Sequence, residues 1–206
     1  MNANYKYIAW IYDWLANLVF GNKLELAKRA FISDIPEGAK ILVVGGGTGS
    51  IIEYLALLNK HLHVDFVEQS KYMIGYAKKR NVASLEIAFY NQSILDLNLM
   101  GYDVVITNFF FDQFNQTEAK NILQHIRSKL NPSGVIIFSD FIHTNHRWDK
   151  FVIWFMFVFF RLTTTISANA LSPFSLMFTT LGFHETSSRQ IGRTIRAATY
   201  VLEPIN

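Results

Sequence analysis

Residues 41–50 read "ILVVGGGTGS". Four apolar residues run into three consecutive glycines, a threonine and a fourth glycine before Ser50. Glycine weakens any regular element it enters, so this much of it at the end of an apolar run needs a reason. Two are open. The stretch is a tight turn with no ligand, or a place where something approaches the backbone closely. A glycine turn between a strand and a helix favours the second, because unshielded N–H groups at a helix start can meet a polar or anionic group.

Working outward from that stretch, apolar periodicity alternates between strand and helix. Residues 5–20 predict a helix, with Ile8, Ile11, Tyr12, Leu15, Leu18 and Val19 on one stripe, and 22–32 predict a second. Strands are expected at 41–45, 63–68, 85–90, 102–109 and 134–141, and two further β runs near 183–189 and 194–202. Helices are expected from Ser50 to Asn59, from a Ser70 N-cap, and over 116–130, the last ended by Asn131-Pro132. Strands alternating with helices imply an α/β fold with a doubly wound, Rossmann-like sheet, in one domain covering residues 1–206. In such sheets a ligand sits beyond the carboxyl ends of the strands, at the point where strand order reverses.

Composition narrows the function. Of 206 residues, 50% are hydrophobic and 17% charged, a globular balance. The formal charge of +3 is small and scattered, which gives no footprint for nucleic acid. Cysteine is absent, excluding disulfides and thiolate metal sites and fitting a reducing, cytoplasmic setting. His61 and His63 have no further ligand set nearby, so no metal is expected. Neither a G-x-S-x-G elbow nor a P-loop lysine is present.

The glycines discriminate among nucleotide cofactors. A dinucleotide fingerprint wants G-x-G-x-x-G, but Ser50 stands at its third glycine; the pattern is Gly45, Gly47, Gly49. Glu68, 19 positions beyond Gly49, ends the second strand, where a carboxylate can accept both hydroxyls of a ribose. NAD and adenosyl sites share that contact. Glu68 also fits as an ordinary acid at a helix start.

Five segments in this order resemble the class I S-adenosylmethionine (SAM) dependent methyltransferases, closest to the small-molecule branch of ubiquinone and menaquinone C-methyltransferases. They are "ILVVGGGTGS", "VDFVEQSKYMI" (64–74), "NQSILDL" (91–97), "YDVVITNFFFDQF" (102–114) and "KLNPSGVIIFSDF" (129–141). The resemblance implies a seven-stranded sheet, mostly parallel, closed by a C-terminal antiparallel hairpin. It also implies an N-terminal helical lid (1–33) and a helical insertion (145–172) beside the acceptor pocket. SAM would be held by Gly45, Gly46, Gly47, Gly49, Glu68, Gln69, Met73, Ser93, Ile94, Asn108 and Phe109. The acceptor, a small apolar or aromatic molecule, would meet Tyr5, Tyr12, Phe110, Trp154 and Phe157. Two positions depart from the family pattern: Val43 replaces the acid before the glycines, and Ser93 replaces the acid that meets the adenine amino group. The alternatives are a nicotinamide-dependent oxidoreductase and a non-catalytic nucleoside-binding module on the same fold.

A methyl transfer needs a base only if the nucleophile arrives protonated. Asp112 and His143 are the candidates, with Asp140 and His146 nearby in sequence. "KFVIWFMFVFFR" (150–161) holds ten consecutive apolar residues, too few to cross a bilayer, which takes about 20. Its readings are a core helix, a homodimer seam in place of a monomer, or an acceptor cap that touches a membrane surface.

Overall fold

The structure is a computed structural model and describes residues 20–80, 84–142, 144, 146 and 174–203. The expected helix over 5–19, the insertion at 145–172 apart from His146, and Tyr5, Tyr12, His143, Trp154 and Phe157 lie outside the described residues.

Seven strands form one sheet: β1 Lys40–Val44, β2 His63–Val67, β3 Glu86–Tyr90, β4 Tyr102–Asn108, β5 Leu130–Phe141, β6 Phe183–Ile191 and β7 Ile195–Leu202. Their order is β3-β2-β1-β4-β5-β7-β6. The first five run parallel; β7 lies antiparallel between β5 and β6. This is the mostly parallel sheet with an antiparallel hairpin that the sequence implied. Among the described residues the α-helices are α1 Lys23–Arg29, α2 Ser50–Ala56, α3 Lys71–Ala77, α4 Gln116–Arg127 and α5 Phe174–Thr180.

Strand β1 shows why its sequence is apolar without alternation. Leu42 and Val44 join the core on one face of the sheet, with Val105, Phe138, Phe178 and Tyr200. Ile41 and Val43 join the core on the other, with Val64, Phe66 and Ile106. A central parallel strand is buried on both sides, so it has no polar face to alternate with. From β1 the sheet grows to β2 on one side and β4 on the other, which puts the reversal of strand order beside the glycine stretch.

Helix starts follow local chemistry. Ser70 caps α3 by accepting the Met73 N–H, and Asn115 with Glu118 forms a capping box at α4. Helix ends fall earlier than expected. α1 stops at Arg29, followed by Phe31 at φ +65°, and α2 stops at Ala56 rather than Asn59. α4 ends at Arg127, and Asn131-Pro132 belongs to β5. The Lys129 carbonyl accepts the N–H groups of Gly101 and Tyr102, which draws the chain into the sheet before the proline. Leu130 pairs with Tyr102 and Val135 with Val104, so Pro132 falls in the irregular stretch between, where its missing N–H breaks no ladder bond.

Candidate functional site

The glycine turn leaves β1 at Val44 and enters α2 at Ser50. Gly45, Gly47 and Gly49 have φ of +62°, +57° and +81°, a region that costs other residues backbone strain. The turn closes on itself through Gly49 N–H to the Gly46 carbonyl, 3.0 Å, and is tied to β2 through Gly45 N–H to the Val67 carbonyl, 2.9 Å.

The four glycines do different work. A Cβ at Gly45 would sit 2.3 Å from the Phe110 ring, one at Gly46 2.2 Å from the Phe66 ring, and one at Gly49 2.8 Å from Ala77 Cβ. Those three are glycine because protein packs against them. At Gly47 a Cβ would meet no protein atom within 4 Å. Open space over a left-handed backbone is the cradle a ligand would fill. Arg80 holds the turn from behind, donating Nε–H to the Thr48 carbonyl at 2.8 Å and pairing with Glu53 at 2.7 Å.

Glu68 lies one residue past β2, where expected, and does more than expected. Its Oε2 accepts the Gly47 N–H at 3.0 Å and its Oε1 accepts the Ser70 N–H at 2.7 Å. The acid at the helix start and the acid facing the glycine turn are therefore one carboxylate in one pose. Val43, where an acid was the family pattern, is buried with Phe66 beneath Gly46, so no carboxylate reaches the turn from β1. Asn91, which sequence reasoning passed over, donates Nδ2–H to the carbonyls of Glu68 and Gln69, 2.9 Å each, and braces this corner. Its only sequence signal was its place directly after β3.

Ser93 caps a short 3-10 turn, Ile94–Asp96, by accepting the Leu95 N–H at 3.2 Å. Ile94 is buried in the core, Met73 is half-buried and Gln69 is exposed. Gly45–Gly49, Glu68, Gln69, Met73, Ser93 and Ile94 thus lie at or just beyond the carboxyl ends of β1, β2 and β3, and Asn108 and Phe109 at that of β4. Ser139 donates its hydroxyl proton to Asn108 Oδ1. Phe109 sits at φ +52°, a strained position for an aromatic residue, held by its N–H to the Ser139 carbonyl at 2.8 Å. Phe110, expected to face the acceptor, is 8% exposed, with its ring against Gly45 and edge-on to Phe111 and Phe114.

Asp112 and Asp140 meet below this segment. Asp140 accepts three backbone N–H groups, from Phe111 (3.0 Å), Asp112 (3.2 Å) and Phe141 (2.8 Å). Asp112 Oδ1 is buried with no hydrogen-bond partner. Burial pushes the Asp112 carboxyl up to about 7, and burial together with the charge of Asp112 lifts Asp140 well above the usual carboxylate range. His146 is exposed, and its backbone N–H donates to Thr144 Oγ1 at 3.2 Å. Among the described residues no three His, Asp or Glu side chains converge as a metal site, and no helix is long and apolar enough to cross a membrane.

The sheet order and the glycine turn after β1 define a Rossmann-like α/β domain closed by a C-terminal antiparallel hairpin. Residues 42–136, from β1 into β5, match the family model described as a methyltransferase domain. Among curated proteins, the chain is 24% identical over 139 residues to the carboxy-S-adenosyl-L-methionine synthase of Campylobacter jejuni, covering 66% of this chain and 59% of that protein. It is 35% identical over 108 residues to the malonyl-[acyl-carrier protein] O-methyltransferase of Bacillus cereus, covering 50% of this chain and 38% of that one. The chain therefore spans about three fifths or less of these relatives. Among solved structures, the DhpI–SAH complex superposes with a TM-score of 0.69 at 16% identity, over 98% of this chain and 94% of that one. CalO1, a methyltransferase in calicheamicin biosynthesis in its SAH-bound form, gives 0.70 at 16% identity, over 97% and 59%. These two likenesses establish the fold.

Proposed function

We propose that the chain is a SAM-dependent methyltransferase acting on a small, apolar or aromatic acceptor. The observation that carries this reading is the pairing of an open, left-handed Gly47 with a carboxylate already aimed at it. The matches to a methyltransferase domain and to methyltransferases support it. A nicotinamide reading finds no such support.

The residues fit the cofactor. Glu68 accepts one N–H on each oxygen, and an ionised carboxylate has about four acceptor positions, so two remain for ribose hydroxyls. Ser93 accepts one N–H and keeps its own hydroxyl proton for a base edge. Ile94, Gln69 and Met73 would flank the base, and Asn108 and Phe109 would stand at the sulfur end. When bound, SAM supplies an already activated sulfonium methyl. The chain's part is to orient the acceptor in line with that methyl and to exclude water. The strained Phe109 would close the apolar side of the cleft; Tyr5, Tyr12, Trp154 and Phe157 belong to the acceptor side of the same proposal.

Calorimetric titration with S-adenosylhomocysteine (SAH), SAM and NAD tests the reading. Binding of the two sulfur nucleosides and not of NAD is expected. Absence of heat with either sulfur nucleoside at millimolar concentration overturns it.

A further inference from the structure

Asp112 and Asp140 are 7% and 0% exposed, on the turn after β4 and near the end of β5. Asp140 Oδ2 lies 3.2 Å from the Asp112 backbone nitrogen, so the two residues are in direct contact. Three N–H groups aimed at Asp140 favour a negative charge there. Asp112 has less support: its own backbone N–H favours its charge, but Oδ1 is buried without a partner. Among the described residues, the charged group acting between β5 and this turn is the other carboxyl, and no Lys, Arg or His offsets either one. The turn's own neighbours are Phe110, Phe111 and Phe114, and the nearest acid of α4, Glu118, is engaged in the capping box. Two adjacent buried carboxylates without a cation cannot both stay ionised.

We propose that Asp112 and Asp140 hold one proton between them at neutral pH, and that this proton keeps the Phe109–Phe114 segment packed against the glycine turn. The role for ligand rests on the methyltransferase reading above. The proton belongs to the pair, and the three N–H groups leave it with Asp112. Its loss would put a second charge in a site largely shielded from water. The segment must then open, and Phe110, whose ring lies on Gly45, moves with it. Asp112 and Asp140 act through that segment, as positioning residues. Both shifts run upward and are driven first by burial, as expected of a pair that keeps a proton at neutral pH.

The test compares the full chain with its Asp112→Asn variant, which replaces the neutral acid by a neutral side chain of the same shape. SAH affinity and thermal melts are measured from pH 6 to 9, with infrared spectra in the carboxylic-acid carbonyl region. The native chain should show a protonated-acid band at pH 6 that vanishes in Asp112→Asn. Its melting temperature should fall as pH rises, and its SAH affinity should weaken by up to about tenfold per pH unit above the titration, the limit for one proton. Asp112→Asn should be level in both measures and match the native chain at pH 6. A native chain without the acid band, or a variant with the native slope, overturns the proposal. So does a variant that no longer melts cooperatively at pH 6, because a neutral residue should be tolerated. The band and the sloping melt together with no SAH binding at any pH would sink the cofactor reading and leave the shared proton standing. SAH binding without the band or slope would do the reverse.

Discussion

At the scale of the residue, the structure separates glycines of the turn that protein packs against from Gly47, which it leaves open and where the ligand is proposed to lie. Gly46→Ala forces a Cβ to within 2.2 Å of the Phe66 ring and should lower the melting temperature. Gly47→Val meets no protein neighbour within 4 Å. It should cost roughly 1–2 kcal/mol of left-handed strain, keep a cooperative melt and lose SAH binding. Retained SAH affinity in Gly47→Val would place the ligand elsewhere. Glu68 carries the complementary prediction. Its replacement by Ala removes charge-assisted hydrogen bonds worth about 1.5–3 kcal/mol, so SAH affinity should fall roughly ten- to a hundredfold. It also strips the Gly47 N–H of its acceptor, and calorimetry on a variant with an intact melt reads the combined loss.

At the scale of the element, α1 is fastened to α2, the helix that begins at the glycine turn. Lys28 Nζ donates to Glu25 Oε1 at 2.9 Å and to Ser50 Oγ at 3.0 Å. Tyr54 donates to the other Glu25 oxygen at 2.5 Å, and the Arg29 guanidinium lies 4.0 Å from the centre of the Tyr54 ring. Burial pushes Glu25 up, but bonds from Lys28 and Tyr54 and the charges of Lys28 and Arg29 outweigh it, so its carboxyl lies below the usual range. A lowered folded value means stability that is present above the unfolded carboxylate range and lost as pH falls through the folded value. Glu25→Gln should therefore lower the melting temperature at pH 7, and the gap to the native chain should close as pH drops below about 4. A gap that persists unchanged into acid would show that the pairing contributes nothing. The fastening is partly exposed, so a small effect is expected.

At the scale of the whole molecule, one sheet is packed on both faces, and the glycine turn lies at the edge where the two faces meet. Phe138, Phe178 and Tyr200 pack together on one side, Phe138 edge-on to the other two and Phe178 and Tyr200 stacked at 4.0 Å, and Phe66 anchors the other. A ligand held as proposed, by the loops after β1, β2 and β4, would join elements of both layers, so its binding should register in the global melt. SAH at a hundred times its dissociation constant should add about 2.7 kcal/mol, or roughly 5–10 °C for a chain of this size. NAD at the same concentration should leave the melt where it is. Equal shifts from both would argue against a site tuned to the sulfur nucleoside.

The amino-acid sequence alone determined the seven strands, the helices that begin near residues 22, 50, 70 and 116, and their order, but not the helix Phe174–Thr180. Buried strands announce themselves as apolar runs, a helix start as Ser70, and the end of the sheet where the site is proposed as a glycine stretch between strand and helix. These are local signals, carried by residues close together in the chain. Glu68 was legible for the same reason, since its place after β2 sets its distance from the turn. Tertiary structure decided what depends on partners far away in sequence. Gly46 faces Phe66, Gly45 faces Phe110, and only Gly47 is left open, a difference invisible among three identical residues. Asp140 could be named as a polar residue near the cleft, but its three N–H donors and its contact with Asp112 come from β5 lying beside β4, which no spacing along the chain reveals. The end of α4 was misplaced because a proline suggests a stop, whereas pairing of Leu130 with Tyr102 had already turned the backbone into the sheet. Burial and charge proximity are properties of the packed molecule, and the chemistry of the carboxyl pair follows from them.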